Sequence, residues 1–121
     1  MGKMNYKFKD ITPGIYPAKI TDIVQEEGPY GVFLRFHFTI THGDLVDWSF
    51  YGLVKPYVFK QSKFYRWLTI IMGNEPATDE WDIVQMIGKE CHILLQKTTK
   101  GDKVYYSVRE LATDQSDILN N

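Results

Sequence analysis

Between Val32 and Ile40 the residues alternate in kind: Val32, Leu34, Phe36, Phe38 and Ile40 are apolar, and Phe33, Arg35, His37 and Thr39 lie between them. Successive side chains of a strand point to opposite sides of its sheet. Burying the even positions therefore leaves a ring, a guanidinium and an imidazole in a row on the other face. Rings stack on bases and cations meet phosphates, which is how a single nucleic-acid strand is held with little regard to its sequence. A second stretch has the same mixture: Lys55, Tyr57, Phe59, Lys60 and Lys63 interleave rings and cations, with no acid from Lys55 to Arg66. It reads either as one wall of a binding groove or as a cover over the end of the core.

Catalytic chemistry has less support. His37, His42 and His92 lack the spacing of a helical metal pair, and Cys91 and His92, being adjacent in a strand, point to opposite faces. Neither a phosphate-cradling glycine loop nor a nucleophile elbow is present, and Glu26-Glu27 reads as a solvated turn tip. The expectation is a binding module without cofactor or metal, not an enzyme.

The elements that must position these side chains follow from period and punctuation. Pro13-Gly14 opens a first strand, Gly14 to Val24, in which Tyr16, Ala18 and Ile20 alternate before Ile23-Val24 breaks the pattern, as a bulge or sharp bend would. Gln25 to Gly31 is a turn, and Val32 to Thr41 the second strand. A third, Leu45 to Tyr51, follows His42-Gly43-Asp44, with Val46, Trp48 and Phe50 inward and Tyr51 on the face of Phe33. Ser62 caps a helix whose apolar stripe is Phe64, Trp67, Leu68 and Ile71, and Gly73 stops it. Asp79 to Ile87 reads as a second short helix with Asp79 as cap and Trp81, Val84 and Ile87 inward. Strand four spans Glu90 to Thr98 with Cys91, Ile93 and Leu95 inward. After a hairpin at Thr99 to Asp102, strand five spans Lys103 to Leu111.

This order, β-β-β-α-β-β, describes an all-β fold with a helical connector: a five-stranded Greek-key barrel of the OB type, with a flat sheet under one helix as the alternative. Residues 1–13 read as an N-terminal arm, 14–111 as the domain and 112–121 as a flexible tail.

Bulk properties narrow the partners. The 121 residues suffice for one domain, 15% of them are aromatic, and fourteen basic against fifteen acidic residues give a formal charge of -1. That balance argues against a protein gripping a duplex through a large positive field. A single cysteine excludes an intrachain disulfide, and the beginning, MGKMNYKFKD, has no apolar signal-peptide core. No stretch is long enough to cross a membrane as a helix. A cytoplasmic location is the expectation.

Three segments, GIYPAKI, GPYGVFLRFHF and SKFYRWLTIIMG, followed by IGKEC from Ile87, together resemble small OB-fold proteins of phages and mobile elements that look like single-stranded DNA-binding proteins. The resemblance implies an OB fold and a role in replication or recombination of a phage-like element, in the host cytoplasm. The acidic, hydrophobic-tipped C-terminal tail of the better-known bacterial single-stranded DNA-binding proteins is matched only faintly by Ala112 to Asn121, where Asp114 and Asp117 are the only charges.

The expected site is therefore Phe33 and Tyr51 for stacking, Arg35 and His37 for phosphates or base edges, and Lys55, Tyr57, Lys60 and Lys63 along one wall, with single-stranded DNA or RNA as partner. The alternative is an assembly module that buries the same aromatic face against a second copy or a protein partner. A small-ligand or sugar-binding barrel is the third reading.

Overall fold

The computed structural model describes residues 11–57, 59–73 and 82–112. Its elements are β1 (Gly14–Gly28), β2 (Gly31–Ile40), β3 (Ser49–Val54), α1 (Lys63–Met72), α2 (Ile83–Met86), β4 (Glu90–Lys100) and β5 (Lys103–Ala112). The strands form one antiparallel sheet in the order β3-β2-β1-β4-β5, so β3 and β5 are its edges.

β1 organises the sheet because it serves two neighbours. Residues Gly14 to Lys19 pair with β4, and Ala18 to Gly28 pair with β2. The pattern break at Ile23-Val24 has its cause here: the register with β2 shifts between Ile20 and Asp22. The extra residue, Thr21, moves the buried positions from Ala18 and Ile20 to Ile23, which is what a bulge does to a strand that must bend.

The apolar face of β2 makes the centre of the core. Leu34, Phe36, Phe38 and Ile40 are all buried. Phe36 meets the Trp67 ring edge-on at 5.2 Å, and Phe38 meets it at 5.8 Å. α1 delivers Trp67 together with Phe64, Leu68 and Ile71, the stripe its sequence spacing predicts. Ser62 caps this helix by accepting from the Tyr65 backbone N–H at 3.1 Å. Gly73 ends it in the left-handed conformation at φ 84°, where a side chain would be strained. Large-to-small changes at such buried aromatic positions cost about 3 to 5 kcal/mol.

Several boundaries differ from the sequence expectation. The first turn is narrower, because β1 continues to Gly28 and pairs it with Gly31, leaving Pro29-Tyr30 at the tip. β3 begins at Ser49 rather than Leu45: residues 41–48 form a looped turn in which Leu45 is buried but Val46 is 45% exposed. Trp48 packs half-buried against the core from just outside the strand, its ring 6.4 Å from that of Phe50. The second helix is a single turn capped by Asp82, and Met86 is its buried residue, whereas Val84 and Ile87 are exposed. Asp79 and Trp81 lie outside the described residues, as do most of the arm and all of the tail beyond Ala112. Ile11, read with the arm, is buried in the core.

Candidate nucleic-acid interface

Register decides which side chains share the outer face. His37 stands opposite Tyr51 and Arg35 opposite Leu53 across the β2–β3 ladder, while on the other side Glu26 faces Phe33, Val24 faces Arg35 and Asp22 faces His37. Cross-strand partners point to the same side. Phe33, Arg35, His37 and Tyr51 are therefore brought together as expected, and Leu53 joins them. Tyr51 is 45% and Leu53 46% exposed.

Tyr51 is the centre of the patch. The Arg35 guanidinium lies over its ring at 4.6 Å, and the His37 ring approaches it at 5.8 Å. A cation over an aromatic face is attracted by the ring quadrupole, so the ring is held in place and an exposed part of it remains for a ligand. Arg35 also makes an ion pair with Glu26 at 2.9 Å. Glu26 is thus a partner of the site rather than a solvated turn tip. The Nε of Arg35 is buried and has no partner among the described residues.

At the hairpin end, Phe33 lies against Gly28, where an added Cβ would come within 3.2 Å of the ring. Phe33, Tyr30, Pro29, Leu53 and Val54 line an apolar cleft of about 270 Å³, and Lys55 stands at its rim. The Lys55 ammonium donates to the Tyr30 carbonyl at 2.8 Å. It ties the hairpin tip to the exit of β3, beside the cleft that it helps to line. Tyr30 itself is 88% exposed.

The connector contributes less uniformly. Tyr57 and Phe59 are exposed and stack on each other at 5.9 Å, with Lys60 exposed beside them. The Ser62 hydroxyl donates to the Tyr57 carbonyl, which holds this ring pair against the start of α1. Lys63 is half-buried in the first turn of α1. Its ammonium lies over the Trp67 ring at 5.1 Å and reaches the Leu53 carbonyl at 3.4 Å. Burial pushes its pKa below the ordinary lysine value, and the cations Arg66 and Arg109 act in the same direction against Glu110.

The sequence expectation omits Leu53, Tyr30 and Glu26. Leu53 follows Tyr51 at the strand period, but Gly52 reads as a strand end. The structure gives the reason glycine stands there: a Cβ at Gly52 would lie 2.7 Å from the Val108 carbonyl oxygen and 3.0 Å from the Trp67 ring.

Cys91 is half-buried, and burial pushes its thiol up to about 12. Among the described residues, no group of three or more His, Cys, Asp or Glu could hold a metal ion, and no helix is long and apolar enough to cross a membrane. No protein-family model matches the chain, and no curated protein matches it significantly.

Proposed function

We propose that this chain is a binding module for single-stranded nucleic acid, DNA in the first instance, with bases stacked on the outer face of β2 and β3. One observation carries the reading: Tyr51 is an exposed ring backed by Arg35 and His37, with Phe33 and Leu53 on the same face. Stacking contributes about 1 to 3 kcal/mol per base and works for any base, so the near-neutral total charge is compatible with useful affinity. Binding rather than catalysis is the proposed activity.

The fold proposed with it is an OB-type Greek-key barrel. Its support is the strand order, which puts β3 and β5 at opposite edges, together with the approach of β3 to β5 where Gly52 meets Val108. A place in replication or recombination of a phage-like element, in the cytoplasm of its host, belongs to the same proposal and rests on the resemblance of the three segments. The exposed rings Tyr30, Tyr57 and Phe59 favour a second reading, in which the aromatic face assembles with another copy or a protein partner.

Fluorescence anisotropy of a labelled oligo-dT of about thirty nucleotides, with a duplex control and two salt concentrations, tests the proposal. The expected result is preference for the single strand, weakened by salt. Absence of binding at low salt, with an oligomer seen by light scattering, would overturn it in favour of assembly.

A further inference from the structure

Several cations around the sheet are already engaged. Arg35 is paired with Glu26, Lys55 with the Tyr30 carbonyl, and Arg66 on α1 with Glu110 at 2.7 Å. Lys63 and Arg109 have no ion-pair partner among the described residues, although Lys63 also reaches the Leu53 carbonyl at 3.4 Å, and both lie on the other side of β3. Together with Gln96 and Ser107 they line a cleft of about 270 Å³ between β3 and β5, and Tyr51 and Leu53 form its β3 wall.

The placement of Arg109 has a specific cause. The β4–β5 register shifts between Leu94 and Leu95, whose partners are Glu110 and Val108, so Arg109 is the extra residue of a bulge. Bulges re-aim side chains. Here Val108 stays in the core, Arg109 is exposed, and no hydrogen bond or ion pair joins its side chain to another described residue. Glu110, next along, accepts from Arg66 through one oxygen and from the Trp67 indole N–H at 3.2 Å through the other, and makes no ion pair with Lys63 or Arg109. Burial is the main cause of the lowered pKa of Lys63; Glu110 acts against it, and Arg66 and Arg109 add a smaller repulsion. An anion entering between Lys63 and Arg109 would offset the repulsion and favour the charged form of Lys63 against its burial.

We infer that the β3–β5 cleft is a phosphate-binding site, with Lys63 and Arg109 as its charged ligands and Gln96 and Ser107 as neutral donors. This inference rests on the proposed nucleic-acid reading for the source of the phosphate: Tyr51 lines the cleft and also bears the stacking face, so a nucleotide stacked there carries its phosphodiester into the cleft. The backbone path continues past Arg109, because Gln96 and Arg109 also line a second cleft, of about 410 Å³, with Lys97 and Gly14.

The test compares wild type with Arg109→Gln and Lys63→Gln, using Lys89→Gln as an exposed control at the α2–β4 junction, by oligo-dT anisotropy across a salt series. Leaving one phosphate of a single strand without its cation lowers the slope of log affinity against log salt by about 0.7, which corresponds to about fivefold weaker binding near 0.1 M. That weakening is expected for each site variant, with the control unchanged. Oligonucleotide binding with wild-type slope and affinity in both variants would overturn the site and leave the nucleic-acid reading standing. Amide and side-chain NMR shifts on titration with inorganic phosphate separate the two claims. Shifts at Gln96, Ser107 and Arg109 that vanish in Arg109→Gln support the site even if oligo-dT does not bind, and their absence in wild type counts against it.

Discussion

Arg35 has two engagements that limit what it offers a ligand: Glu26 neutralises it and Tyr51 lies beneath it. A phosphate approaching Arg35 competes with the carboxylate of Glu26. The Glu26→Gln variant is accordingly expected to bind oligo-dT several-fold more tightly, with little change in thermal midpoint, because a partly exposed ion pair contributes only about 0 to 1 kcal/mol to stability. Anisotropy and thermal melting check this together; unchanged or weaker binding would mean that Arg35 serves only to hold the ring. Tyr51→Ala is expected to weaken binding by about 1 to 3 kcal/mol if it stacks one base, again with the fold retained. Cys91 offers a control on the core. With its thiol raised from 9.0 to about 12 by burial, its thiolate population in the folded protein is lower by about a thousandfold. Iodoacetamide at pH 8 should therefore label the native protein far more slowly than the urea-unfolded chain, and equal rates would contradict the burial.

At the scale of elements, Gly52 sets the distance between β3 and β5. Gly52→Ala forces a Cβ against the Val108 carbonyl and the Trp67 ring, and overpacking of this kind costs about 1 to 3 kcal/mol. Urea unfolding should show that destabilisation; a midpoint equal to wild type would mean that the two strands separate freely.

The same residue explains what can be read from the sequence and what cannot. α1 is fully legible, from the Ser62 cap to the Gly73 stop, because its helical period, cap and stop are all local features. So is the placing of Phe33, Arg35 and His37 on one face, which needs only alternation. β3 is not, because Gly52 looks locally like a terminator and is in fact required by a contact with a strand more than fifty residues away. Arg109 escapes for a related reason, since its direction comes from a bulge set by the β4–β5 register. Glu26 becomes a site residue only because β1 is long enough to place it beside Arg35.

For the whole molecule, one antiparallel sheet buries the apolar face of β2 under α1 and turns outward a face that is aromatic and carries acids as well as a cation, with Asp22 and Glu26 beside Arg35 and His37. Lys63 and Arg109 lie across β3, toward β5. In the proposed binding mode a single strand has its bases on the β2–β3 face and its phosphates along the seam, so that local rather than total charge would hold a polyanion on a protein of formal charge -1. The most direct measurement of this account is ultraviolet cross-linking of oligo-dT to the full chain, with the attachment sites read by mass spectrometry. The account predicts adducts on Tyr51 and Phe33, in the peptides of β3 and β2. Adducts confined to the Lys97–Lys103 hairpin, or none under conditions where anisotropy reports a complex, would contradict it.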